Sequence, residues 1–223
     1  MKPKSLSIEL NKAHYPVTTL GPGRRIGLWL QGCSIHCKGC VSMDTWPRDK
    51  GRALPVSDLI TWCRTQAKGG LDGITISGGE PFDQPAALAA LLKALLRWRQ
   101  ESGIRFDILC YSGYPLRTLQ TRHAALLKLI DALIPEPYAD GLPLGKLWRG
   151  SLNQLLVPLS ELGQERYTDF VERSVDDEGK RMQMTVENGR IWMIGIPARG
   201  DMAQVEALCA SRGLNLDQVS WRR

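Results

Sequence analysis

The chain has 223 residues, 43% hydrophobic and 23% charged, which is ordinary globular composition and enough for one sizeable core. Its longer apolar stretches, such as Ala86 to Leu96, are broken by charges like Lys93 and are too short to cross a bilayer. The net charge of +6 includes small groups (Arg24–Arg25; Arg48, Lys50 and Arg52; Arg222–Arg223) that form no run interleaved with aromatics, which argues against a nucleic-acid partner and leaves most of them as solvated surface.

Strand-like and helix-like patterns alternate, as in parallel strands joined by crossover helices. Ile26 to Leu30 reads as the first strand and runs into Gly32-Cys33. Ser57 to Thr65 reads as a helix with Leu59, Ile60 and Trp62 as its apolar residues. Gly73 to Ser77 is the second strand and ends in a glycine pair. Asp83 suits the N-cap of the next helix, where Leu88, Leu91, Leu92, Leu95 and Leu96 form one stripe and Gly103 closes the end. Phe106 to Tyr111 is the third strand, a further helix reaches about Lys128, Asp131 to Ile134 is the fourth strand, and Asn153 to Val157 the fifth. Five such units in an α/β chain exceed a simple mononucleotide fold and fall short of an eight-fold barrel.

After Pro158 the texture changes. Glu161 to Asp177 has the spacing of a short amphipathic helix. Gln183–Val186 and Ile191–Ile194 flank Glu187-Asn188-Gly189-Arg190, a hairpin signal because both turn residues tolerate positive φ. A helix from about Met202 to Ser211, closed by Gly213, completes the chain. The expected organisation is a core over 1–158 and an appendage of helix, β-hairpin and helix over 159–223.

The chemistry concentrates after the first strand. Cys33, Cys37 and Cys40 lie within eight residues, while Cys63, Cys110 and Cys209 are scattered singly. Three thiolates at this spacing suit three corners of a cubane iron–sulfur cluster, whose full thiolate ligation takes four, so one iron is left open. Cys37 and Cys40 alone also suit zinc or a redox dithiol, but no second C-x-x-C or H-x-x-x-H follows for a four-ligand zinc site. His36, between two of the cysteines, is poorly placed to join them. Cys63 and Cys110 read as small core residues, and Trp29, Trp62 and Trp98 as packing. Clustered free thiols, with a basic Met1–Ser5 that no apolar segment follows, fit a cytoplasmic protein without a signal peptide. Gly78-Gly79-Glu80 follows the second strand and Tyr111-Ser112-Gly113 the third, at the strand ends where parallel α/β sheets bind ligands.

With Cys33-x-x-x-Cys37-x-x-Cys40 and Ser77-Gly78-Gly79-Glu80-Pro81, the chain resembles the radical S-adenosylmethionine enzymes. Within them it is most similar to the glycyl-radical activases, the anaerobic ribonucleotide reductase activating proteins among them. The likeness runs from His14-Tyr15-Pro16-Val17 and Gly21-Pro22-Gly23-Arg24 through Gln31-Gly32-Cys33, Thr45-Trp46 and Tyr111–Tyr114 to Trp148–Gln154. It implies a partial (β/α)6-type TIM barrel and an oxidoreductase at home in an anaerobic setting. Cys33, Cys37 and Cys40 would hold one [4Fe–4S] cluster, whose open iron takes the amino and carboxylate groups of S-adenosylmethionine. Gly78 and Gly79 would let backbone approach that amino group, and Glu80 would balance its charge; each also has a plain reading, as a strand-exit turn and a surface acid. Gly39 and Val41 would flank the adenine, although the residue at 41 is often aromatic in the activases. Ser112 would bond the ribose or carboxylate, or simply form a turn. Arg149 and Asn153 would face the substrate, or else make a surface ion pair and a strand-end bond.

The resemblance further implies reductive cleavage to a 5′-deoxyadenosyl radical, with flavodoxin or ferredoxin as electron donor. The target would be a glycyl-radical protein partner, or alternatively a small molecule or peptide, as in 7-carboxy-7-deazaguanine synthase and the peptide-modifying enzymes. Two departures bear on the target. Pro135-Glu136-Pro137-Tyr138 stands where the activases carry an acidic residue and a glycine, and the 159–223 appendage is additional.

Overall fold

The computed structural model describes residues 6–177, 181–187 and 189–222. Met1–Ser5, Asn188 of the hairpin turn and Arg223 therefore lie outside the described residues. The elements run β1 (Ser7–Val17), β2 (Arg25–Leu30), β3 (Ala53–Pro55), α1 (Val56–Gln66), β4 (Gly73–Gly78), α2 (Pro85–Ser102), β5 (Asp107–Tyr111), α3 (Leu116–Arg122), α4 (Ala124–Leu127), β6 (Ala132–Ile134), β7 (Val157–Pro158), α5 (Glu161–Tyr167), β8 (Met182–Glu187), β9 (Arg190–Gly195) and α6 (Asp201–Ala210). Seven strands form one sheet in the order β3-β1-β2-β4-β5-β6-β7, and β8–β9 form a separate hairpin. No helix among the described residues is long and apolar enough to cross a membrane.

The centre of the sheet is parallel: β2, β4, β5 and β6 pair in turn with their carboxyl ends on one edge. All six residues of β2 are buried, as a strand covered on both faces requires. α2 buries Leu88, Leu91, Leu92, Leu95 and Trp98, each contributing about 1.5–3 kcal/mol by removal from water, and ends on Gly103 at φ +67°. Cys63 and Cys110 lie inside the same core, as do Trp98 and the partly buried Trp62.

Three expectations are corrected. β1 has no counterpart among the predicted strands; it lies antiparallel to both β2 and β3, and its half-buried residues and Pro16 blur the alternation. The predicted fifth strand, Asn153–Val157, contributes only Val157–Pro158, which pair antiparallel with β6. The Asn153 and Gln154 side chains instead donate to the carbonyls of Pro137 and Glu136, bonds that compete with a sheet ladder. Among the described residues the sheet thus carries four parallel strands, not the six strand–helix units of a (β/α)6 arrangement.

Arg25 is a further departure. Grouped by sequence with Arg24 as basic surface, it is fully buried at the amino-terminal edge of the sheet. Its guanidinium donates to both oxygens of Asp107 (2.6 and 3.1 Å), to Thr75 Oγ1 (2.7 Å) and to the Ile74 carbonyl (3.0 Å). Tyr167 and Arg166 of α5 donate to the same carboxylate. Gly73 makes room: a Cβ there would sit 2.0 Å from Arg25 Nη1.

Candidate functional site

At the opposite edge, the carboxyl ends of β2, β4 and β5 converge on a cavity of about 400 Å³. Cys33, Cys37 and Cys40 line it from the loop after β2, Gly78–Glu80 from the end of β4, and Ser112–Gly113 from the end of β5. The cysteine loop is held by its neighbours. Gly32 and Cys33 N–H donate to the Thr45 and Trp46 carbonyls (2.7 and 3.0 Å). Asp83 is not the N-cap of α2, which falls on Gln84 without a side-chain bond. Its carboxylate accepts instead from Ser34 N–H (2.8 Å), Ser34 Oγ (2.9 Å) and Tyr114 Oη (2.8 Å), tying the loop to the ends of two strands.

The donor set fits a cluster held by three thiolates. Burial raises the pKa of all three thiols, so thiolate forms there in the company of a cation such as iron. Cys40 Sγ already accepts from Ser42 N–H at 3.4 Å. Among the described residues no three His, Cys, Asp or Glu groups converge as ligands of a single ion would, whereas a cubane spreads its thiolates over separate irons. No further cysteine lines the cavity: Cys63 and Cys110 are in the core and Cys209 is on α6. His36, at φ +52°, stacks on Trp46 with centroids 4.8 Å apart and is not on the cavity wall.

The glycine pair has a structural reason visible in the backbone. Gly78 adopts φ +99°, and a Cβ there would lie 2.5 Å from Leu30 N. A Cβ on Gly79 would lie 2.1 Å from the Gly32 carbonyl oxygen. The end of β4 is therefore pressed against the root of the cysteine loop, with Gly79 and Glu80 N–H donating to the Leu30 and Gly32 carbonyls (both 2.8 Å). Glu80 is 1% exposed, not a surface acid. Its Oε1 accepts from Phe82 N–H (3.0 Å) and Ser112 Oγ (2.9 Å), and its Oε2 from Gly113 N–H (2.7 Å). Burial pushes the Glu80 carboxyl up to about 7 against those hydrogen bonds. Ser112 Oγ also accepts from Tyr114 N–H, so it forms a turn as well as facing the cavity. Gly39 and Val41 line the wall, Gly39 at φ +77° beneath Asp140 and Tyr138.

Arg149 and Asn153 are not on the cavity wall. Arg149 is 2% exposed and donates to the Leu147, Val171 and Phe170 carbonyls, fastening the loop after α5. It is buried against main-chain carbonyls rather than in a surface ion pair. The neighbouring residues that do reach the cavity are Gly150 and Gln154, together with Glu136, Tyr138 and Asp140. The departure at 135–138 is the one sequence signal for Glu136 and Tyr138, and none points to Asp140. The appendage forms the remaining wall through Ile196–Gly200, Met202, Ala203 and Trp221, and its sequence carries no motif that foretells this.

Residues 19–157 match the family described as a 4Fe-4S single cluster domain. The chain is 33% identical over 147 residues to the anaerobic ribonucleoside-triphosphate reductase-activating protein of Vibrio cholerae, covering 64% of this chain and 94% of that one. The proteins of the same name from phage T4 and Escherichia coli K12 are 31% and 32% identical over 61% and 64% of this chain, and over 85% and 94% of their own lengths. Among solved structures, QueE from Escherichia coli matches over 95% of this chain and 92% of that one, at 16% identity and a TM-score of 0.40. The chain belongs to the 4Fe-4S single cluster domain family of radical S-adenosylmethionine enzymes, with a [4Fe–4S] cluster and S-adenosylmethionine as its cofactors.

Proposed function

We propose that this enzyme is a glycyl-radical activase, which generates a radical from S-adenosylmethionine and abstracts a glycine hydrogen from a large protein partner of the anaerobic ribonucleotide reductase type. The observation that carries the reading is the set of three cysteines, unaccompanied by a fourth, on a cavity formed by the ends of three parallel strands. When bound, the cluster and cosubstrate supply one-electron reductive cleavage to a 5′-deoxyadenosyl radical. The protein's own residues do the rest. Cys33, Cys37 and Cys40 hold the cluster, and Asp83, Gly79 and Glu80 fix their loop against the sheet. A carboxylate offers about four acceptor sites. Three at Glu80 are used internally, so Oε2 retains capacity for the cosubstrate ammonium. Gly39, Val41, Gly78 and Ser112 complete the cosubstrate's surroundings, while Ile196, Pro197 and Met202 exclude water from the far side.

In this reading a flavodoxin or ferredoxin delivers the electron in the cytoplasm. The core over 1–158 is a shortened partial barrel of the family, and the 159–223 appendage shapes the substrate side. A second reading, modification of a small molecule or peptide, is favoured by one observation: the appendage walls a cavity that a protein loop would otherwise enter freely.

Anaerobic reduction of the reconstituted enzyme with S-adenosylmethionine and a glycyl-radical reductase separates the two. A glycyl doublet in the electron paramagnetic resonance spectrum is the expected result. Steady 5′-deoxyadenosine release without a doublet on any glycyl-radical partner would replace the first reading with the second. Cleavage retained by iron-free Cys37→Ala would refute both.

A further inference from the structure

Four aromatic side chains line the cavity: Trp46, Tyr111, Tyr138 and Trp221. Three are engaged. Trp46 stacks on His36. Tyr111 donates its hydroxyl to the Trp148 carbonyl (2.8 Å) and packs against two core clusters. Tyr138 is wedged between Gly39 and Gly150, where added Cβ atoms would lie 3.3 and 3.1 Å from its ring carbons. Among the described residues Trp221 makes no aromatic stack and no cation–π contact, and it also lines a smaller adjoining cavity with Trp29, Trp192 and Lys12.

Trp221 is nevertheless held in place. Its indole N–H donates to Glu206 of α6, which also pairs with Arg222 at 3.3 Å. The preceding residue locks it to the segment after the last cysteine: Ser220 Oγ donates to the Val41 carbonyl (2.8 Å), and the Ser220 carbonyl accepts from Met43 N–H (2.6 Å) and Asp44 N–H (3.3 Å). A positioned, unstacked indole thus lines the same cavity as Val41, whose own side chain has no ring, and as Cys40 and Gly39. The same cavity is also lined by the apolar Met202 and Ala203 of α6 and by Ser42 and Arg199.

We propose that Trp221 is a cosubstrate-binding residue, supplying the aromatic face on which the adenine of S-adenosylmethionine stacks. A flat π-system with its polar edge already satisfied suits a purine, and base–aromatic stacking is sequence-tolerant and strong. Trp221 lies beyond the matched family segment of residues 19–157, so this contact belongs to the appendage of this chain. The appendage thereby takes part in holding the cosubstrate as well as in bounding the substrate side.

The inference rests on the site binding S-adenosylmethionine, and calorimetric titration of the anaerobically reconstituted holoenzyme tests the two separately. Trp221→Ala is expected to weaken S-adenosylmethionine and 5′-deoxyadenosine about 5- to 100-fold. Trp221→Phe should return both to within roughly threefold of wild type, while free methionine binds all three proteins alike and iron content is unchanged. Trp221→Ala binding S-adenosylmethionine as wild type does would overturn the proposal. So would an equal loss for methionine, a loss that Phe does not restore, or a fall in iron content, each of which marks a merely structural tryptophan. A wild-type holoenzyme that binds no S-adenosylmethionine would sink the cofactor reading itself.

Discussion

Asp107→Asn tests the buried charge cluster at the amino-terminal edge of the sheet. The substitution keeps the side-chain size and removes the only carboxylate in contact with Arg25 among the described residues; the Arg25 guanidinium is fully buried. Four donor contacts converge on Asp107, two from Arg25 and one each from Arg166 and Tyr167. Breaking one side of a buried pair costs about 3–5 kcal/mol, because the surviving charge is left without compensation. For a chain of this size each kcal/mol lowers Tm by about 2–4 °C, so the melt should fall by roughly 6–20 °C. Calorimetry on the metal-free protein reads this directly. The pH dependence gives a second check. Arg25 beside it, through charge and hydrogen bonds, holds the Asp107 pKa below its ordinary value against the opposing effect of burial. Its stabilisation is thus full above about pH 4 and is lost as pH falls through the lower folded value. The gap between wild type and variant should be constant from about pH 5 to 8 and narrow below about pH 4. A variant melting within about 2 °C of wild type, or a gap indifferent to acid, would refute the reasoning.

Glu80 should show the opposite slope. Its carboxyl is pushed up to about 7 in the fold from 4.5, so the folded state holds the proton more tightly. Stability of the metal-free chain should therefore decline as pH rises from about 4.5 to 7 and level off above, and urea midpoints of Glu80→Ala should lack that decline. Gly79→Ala drives a Cβ into the Gly32 carbonyl, which is backbone and cannot swing away; iron per chain after reconstitution should drop several-fold. Gly103→Ala, at φ +67° but in open space, should retain full iron and cost only about 1 kcal/mol.

The residues that local chemistry controls were legible in the sequence. The leucine stripe of α2 follows the helix period and ends on its closing glycine, and the cysteine spacing marks three thiols that the fold does bring to one cavity wall. What escaped depends on partners distant in the chain. Arg25 looks like surface until Asp107 and Tyr167, 82 and 142 residues away, are brought to it. Asp83 has the residue type and place of an N-cap, yet a carboxylate finds a better set of donors in Ser34 and Tyr114 than in the first turn of α2. Arg149 adjoins the cavity-lining Gly150, but three carbonyls within reach fix it one step away from the wall.

The appendage shows the same limit on a larger scale. A change of texture near Pro158 suggests a boundary, and the family match ends at residue 157. Burial follows contact, however, and α5 places Tyr167 inside a cluster with Leu109, Ala132, Ile134 and Trp148. Gln183 of β8 bonds to Thr18 and Pro16, and Thr19 donates to the Ile194 carbonyl, so the hairpin is sewn to the segment around the end of β1. Ser220 then reaches the cysteine loop at the other edge of the sheet. Residues 159–223 therefore contact the charge cluster, β1 and the cysteine loop at once. The line near 158 separates matched sequence from unmatched sequence, while the packing runs across it. A truncation there would strip the sheet of Tyr167 and Arg166 and the cavity of a wall together, so loss of activity in such a fragment would not distinguish stability from cosubstrate binding; the single substitution at Trp221 does.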